Sequence, residues 1–224
     1  MLVTKRSNYL TMKKVLTAVL WIVSILLGYL IYQSIMAPIE FNKTREERFT
    51  AVIERLKEIK VAQEAYKTVN GKYAGDFEGL VQFIDTAEFT ITQQRDSSFM
   101  RYNRVYRIDM QVDTVVIDTL GLVSIKDSLF KNSMSYKELM NVPHGQNGET
   151  FELKAEIITK GNFQVPVFMA SVKKDVVLYD QPEDLRLKEN NHNSIEEVNG
   201  NQIVVGSLTE VSTSGNWPSI YDKK

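Results

Sequence analysis

The sequence predicts an α+β protein in which a transmembrane helix continues into an amphipathic stalk helix, and the stalk packs on a small antiparallel sheet. Three observations carry this expectation. An uncharged run of 23 residues lies near the N-terminus, an apolar stripe with a period of three and four follows it, and past residue 99 the period changes to two.

The first element is Val15 to Ala37, VLTAVLWIVSILLGYLIYQSIMA. As a helix it measures about 35 Å, enough to cross the hydrocarbon layer with some tilt. Trp21, Tyr29 and Tyr32 supply amphipathic rings of the kind found in such segments. The run is too long for a cleaved signal, and no small-x-small pattern closes it before Pro38. Lys5, Arg6, Lys13 and Lys14 precede the span without an acidic residue. Lys43, Arg45 and Arg48 follow it, mixed with Glu40, Glu46 and Glu47. This bias places residues 1–14 in the cytoplasm and, in a bacterium, the C-terminal domain in the periplasm, with the anchor in the inner membrane.

The stalk is expected over residues 38–70. Pro38 and the Thr44-x-x-Glu47 capping-box spacing predict a break at 38–43 and a fresh helix from 44 or 45. Phe49, Val52, Leu56, Ile59, Gln63 and Tyr66 form one stripe, opposite Arg48, Glu54, Arg55, Lys57, Glu58, Glu64 and Lys67. These six are the candidate partner interface, and packing against the protein's own sheet is the competing use of the same stripe. Asn70-Gly71 ends the helix, because glycine tolerates the left-handed backbone just past a helix end. Asp76 then caps a second short helix carrying Phe77, Leu80, Val81 and Ile84.

Residues 71–210 are expected to form the head. Tyr106, Ile108, Met110, Val112 and Val116 alternate with polar residues, as in a half-buried strand. Phe151–Ile157 and Phe163–Met169 flank Gly161-Asn162 as a hairpin, with Phe163, Val165, Val167 and Met169 on the inner face. Pro166 marks a strand side without a partner. Residues 176–179 and 203–208 read as further strands, 142–148 and 181–200 as polar connections, and 211–224 as a flexible tail with Trp217 docked.

Charge is balanced, 27 Lys and Arg against 28 Asp and Glu, so no field points to nucleic acid. With no cysteine, thiolate catalysis, thiolate metal sites and disulfides are excluded. His144 and His192 stand apart in loop-like surroundings, with neither a Gly-x-Ser-x-Gly elbow nor a phosphate loop to accompany them. Asp109 and Asp113 share a strand face but would lie about 13 Å apart, too far for one calcium ion. The expectation is a non-enzymatic protein without cofactor, metal or small-molecule substrate. The alternative is a tethered ligand-binding or sensory head, with its cleft where the hairpin meets the 76–85 helix.

A membrane helix running into an amphipathic helix that ends in Ala62 or Ala65, Tyr66, Asn70, Gly71 and Tyr73, followed by the Phe77–Ile84 turn, resembles the type IV pilins and type II secretion pseudopilins. The resemblance covers residues 15 to 85. It implies an anchor, a stalk and a head laid on the stalk's end, in a structural subunit related to secretion or pili. It implies as partners the lipid bilayer and other envelope subunits, including further copies of the chain. Some such heads hold calcium in a late loop, where Asp180, Glu183 and Asp184 stand in this sequence. The chain departs from the family at the processing site. No glycine lies at Lys13-Lys14-Val15, and the apolar run holds no glutamate. The layout is also similar to uncharacterised single-pass envelope proteins of Bacteroides-like bacteria.

Overall fold

A computed structural model describes the backbone of residues 2–131, 133–146, 148–191, 194 and 197–222, with side chains described from Lys14 onward. The side chains of Lys5, Arg6 and Lys13, and the whole of His192, named above, lie outside what is described. The described chain is α+β, with one long apolar N-terminal helix and two small antiparallel sheets.

Helix α1 runs from Leu2 to Asn70 without interruption, about 100 Å at 1.5 Å per residue. The break expected at 38–43 does not occur. Pro38 sits inside the helix and is exposed, so the hydrogen bond it deletes faces the surroundings and ends nothing. With no helix start nearby, the Thr44–Glu47 pair caps nothing. Anchor and stalk are one rod. Its apolar half is exposed from Val15 to Ile35, and it is the one described helix long and apolar enough to cross a membrane.

The stop at Asn70-Gly71 forms as expected, with Gly71 at φ 72° and its N–H donating to the Lys67 carbonyl at 2.8 Å. Helix α2 spans Phe77–Thr86, and Asp76 caps it by accepting from the Gly79 N–H at 2.6 Å. The chain then forms a long two-stranded ribbon, β1 (Glu88–Asn103) against β2 (Ile108–Ser124), closed by the turn 104–107. A short helix α3 (Ile125–Phe130) returns to the head. The strand expected around Tyr106–Val116 forms from Ile108, with Val112 and Val116 half-buried between exposed neighbours, but it packs on no core. Tyr106 lies in the turn, and Ile108, Met110, Val112 and Val116 share a face that no core covers.

The second sheet has the order β3-β4-β5, with β3 Glu152–Lys160, β4 Phe163–Lys173 and β5 Gln202–Gly206. Gly161 at φ 64° makes the two-residue turn. Leu153 lies opposite Ala170, and Ala155 opposite Phe168. The core face of β4 is therefore Phe168, Ala170 and Val172, and Phe163 points outward at 75 % exposure. Of the expected inner set Phe163, Val165, Val167 and Met169, only Val167 is buried, and the set that joins the main core is shifted by one residue. A two-residue turn places odd residues of β3 on the same face as even residues of β4. Pro166 lies beyond the reach of β5, which pairs only from Met169 onward, so its missing N–H deprives no neighbour.

Two further corrections concern loops. Residues 176–179 are not a strand, because Lys174–Val177 forms a single helical turn, α4. The connection 181–200 contains helix α5 (Glu183–Asn190). The strand at 203–208 is present as β5. Gly206 has φ 80°, and a Cβ there would meet the Phe168 carbonyl at 2.2 Å, so only glycine fits where β5 crosses β4.

The tail is not free either. Gly206 N–H donates to the Ser214 carbonyl at 3.0 Å and Asn216 N–H to the Val204 carbonyl at 3.1 Å, so residues 214–216 cover the outer edge of β5. Trp217 packs against the core as expected, and a 3-10 turn at Ser219–Asp222 lies along α1.

Candidate functional site

The six stripe residues are brought together, but by the protein's own head. Phe49, Val52, Leu56, Ile59 and Gln63 are buried, joined by Ile53, Ala62 and Ala65, and α1 packs on β4, β5, α2 and α3. Tyr66 is half-buried, edge-on to Phe83 at 4.8 Å between ring centres. On this length of the stalk the stripe is filled.

Gln63, the polar member, has a specific task. Its amide donates to the Ala74 carbonyl at 2.9 Å and accepts from the Ala74 N–H at 2.9 Å. Both backbone groups of the buried turn are thereby satisfied, and the chain after Gly71 is folded back onto α1. Tyr73 packs on Phe168 at 4.6 Å, which joins this turn to the sheet.

Charged residues on the edge of the stripe hold the other end. Lys174 is fully buried and gives its three protons to the Glu189 carbonyl (3.0 Å), Glu189 Oε1 (2.9 Å) and the Val198 carbonyl (2.7 Å). Glu189 also accepts from Arg45 at 2.7 Å, and Arg45 reaches Glu197 at 3.2 Å. Burial by itself would lower the Arg45 pKa. The hydrogen bond and charge of Glu189, with Glu197, outweigh it and raise the pKa above its ordinary value.

Arg48 grips Asp180 with two nitrogens, at 2.6 and 2.8 Å, and donates to the Val177 carbonyl. That hydrogen bond lowers the Asp180 pKa to about 2. Asp180, the first of the three late-loop carboxylates, is thus committed to an arginine. Lys57 binds Asp222 at 2.9 Å and the Tyr221 carbonyl. The sequence pattern places Arg48 and Lys57 on the solvated face of the stalk and Glu189 within the polar connection 181–200. Nothing local to each residue signals a partner more than a hundred positions away.

A cavity of about 580 Å³ lies between α1, α3 and the C-terminal turn, lined among others by Glu54, Lys57, Glu58, Phe130 and Tyr221. It is not where the hairpin meets α2. Among the described residues no cluster of three potential metal ligands occurs.

The ribbon contrasts with all of this. Of its residues only Phe89, at the base, packs against the core. Ile91, Phe99, Met100, Tyr102, Val105, Tyr106, Ile108, Val115, Ile117, Leu120 and Leu122 are all exposed. At about 3.3 Å per residue its sixteen-residue β1 reaches about 50 Å. Comparison with protein-family models, with characterised proteins and with solved structures gave no match.

Proposed function

We propose that the protein is a single-pass bacterial envelope protein with a pilin-like layout, acting as a non-enzymatic assembly subunit of a membrane complex related to secretion or pili. In this reading residues 15–37 anchor it in the inner membrane, the short N-terminus is cytoplasmic, and the head is periplasmic. The observation that carries the reading is the ribbon. It is an arm of two strands whose outer edges are unpaired and whose apolar side chains are exposed, on a head that otherwise closes its core. Isolated two-stranded ribbons are marginal in water, and open strand edges are sites where another chain adds on. The stalk stripe supports the same conclusion by exclusion. It is filled by the head, so partner contacts fall to the anchor helix and the ribbon.

The test is to replace residues 93–118 by an Asn-Gly turn joining Thr92 to Thr119, which face one another across the ribbon. The head is expected to keep its thermal transition, because none of the removed residues belongs to the core. The complex extracted from membranes in mild detergent is expected to fall in size. A shortened protein that assembles as before would overturn the reading.

A further inference from the structure

The ribbon's outer edges carry fewer guards than those of the other sheet. Natural edge strands carry lysines, prolines or covering segments that prevent pairing with another chain. The other sheet has all three. Its β3 edge bears Glu152, Lys154, Glu156 and Lys160, Pro166 interrupts β4 where β5 does not reach, and residues 214–216 cover β5. Across Glu88–Ser124 there is neither a lysine nor a proline, and the charges on β2 are three aspartates, Asp109, Asp113 and Asp118. The one irregularity is a bulge at Leu120, so the β2 edge is uninterrupted from Ile108 to Thr119.

The two edges differ. The centre of β1 is Gln-Gln-Arg-Asp-Ser-Ser, whereas β2 carries Val112, Thr114, Val115, Val116 and Ile117, residue types that favour a pleated, paired strand. On the assembly-subunit reading above, we infer that the occupant of the β2 edge is the β2 edge of a second copy, added antiparallel about a two-fold axis to make a four-stranded sheet.

The charges select the register. A two-fold axis normal to the sheet must pass through a residue that faces its own copy, since neighbours along a strand point to opposite faces. Two centres overlay eleven residues between the turn and the bulge, Asp113 and Thr114. Centring on Asp113 sets that carboxylate against itself. Centring on Thr114 sets Val112 opposite Val116, Asp113 opposite Val115, Gln111 opposite Ile117, Met110 opposite Asp118 and Asp109 opposite Thr119. No like charges meet, and the β-branched residues pair twice over. About a dozen new main-chain hydrogen bonds form along the seam. Residence in one bilayer raises the effective concentration of one copy for another.

The absence of cysteine makes the test direct. In full-length protein in its membrane, treated with copper phenanthroline, Thr114→Cys is expected to give a disulfide dimer. Val115→Cys alone is expected to give none, since its Cα atoms would stand about 8 Å apart, and mixing it with Asp113→Cys restores the dimer. Thr114→Asp and Thr114→Lys each oppose like charges and are expected to lose most dimer, measured by pull-down between differently tagged copies. Co-expression of the two should recover it, an outcome no folding defect produces. If Thr114→Cys fails to dimerise, or links to a different polypeptide, while the ribbon deletion still shrinks the complex, self-pairing is wrong and the arm reading stands. If the deletion leaves the complex unchanged, both fail.

Discussion

The protein contains two hairpins built to opposite ends. The β3–β4 hairpin has a tight two-residue turn, buries Phe168 and Ala170 against the stalk helix, and belongs to a sheet whose edges are defended by charge, a proline and a covering tail. The β1–β2 ribbon is longer, has a four-residue turn, buries almost nothing and leaves its edges open. Apolar and polar residues alternate with period two over Phe151–Ile157 and over Ile108–Asp113 alike. What separates them is what the apolar face meets, and that is decided by chain segments far away in sequence. The difference teaches that alternation specifies a pleated surface without specifying which body covers it.

Matched substitutions should bring out that contrast. Phe168→Ala empties a fully packed site and is expected to cost about 3–5 kcal/mol, seen as a large fall in the thermal midpoint of the detergent-solubilised protein. Phe99→Ala, on the ribbon at 50 % exposure, is expected to change stability by no more than about 0.5 kcal/mol while weakening assembly. Equal destabilisation at the two sites would break the comparison. Glu189→Ala, at the polar clasp behind the hairpin, leaves Lys174 buried without its carboxylate and is expected to cost about 3–5 kcal/mol. The loss should appear as a lowered denaturant midpoint with an unchanged slope.

Much of the scaffold could be read from sequence because it rests on local rules. The apolar span, the Asn70-Gly71 stop, the Asp76 cap and the Gly161-Asn162 turn each involve neighbouring residues, and each is present. The face of β4 was also legible, since the turn length alone dictates parity, but reading each strand by its own apolar run missed it. Other features rest on distant pairings. Lys174 and Arg45 find Glu189 across 15 and 144 positions, and the tail finds β5 through Asn216. The continuity of α1 through Pro38 was hidden for a different reason, because a proline removes one hydrogen bond and does not by itself decide whether a long helix goes on. The stripe was read correctly as apolar. Its destination stayed divided between a partner and the protein's own sheet, because the two seams have the same period, and the head fills it.

The smallest expected effect comes from two arginine–aspartate pairs that look alike. Arg48–Asp180 lies behind the closed hairpin, and Arg95–Asp118 lies on the ribbon with both side chains well exposed. Asp180 titrates near 2 in the folded protein and near 3.8 when released. On lowering the pH, the unfolded chain therefore takes up the proton first. The contribution of the pair is complete above about pH 4 and is lost as pH falls toward 2. Because the Asp180 side chain is 41 % exposed, solvent screening keeps that contribution below about 1 kcal/mol. Asp180→Asn is thus expected to lower the thermal midpoint slightly at pH 7, with the two curves converging near pH 2. Asp118→Asn should leave the midpoint at pH 7 unchanged, because the exposed ribbon pair fastens nothing to the head. If the Asp118 variant loses as much as the Asp180 variant, the ribbon is held by the head after all, and the distinction between the two hairpins fails.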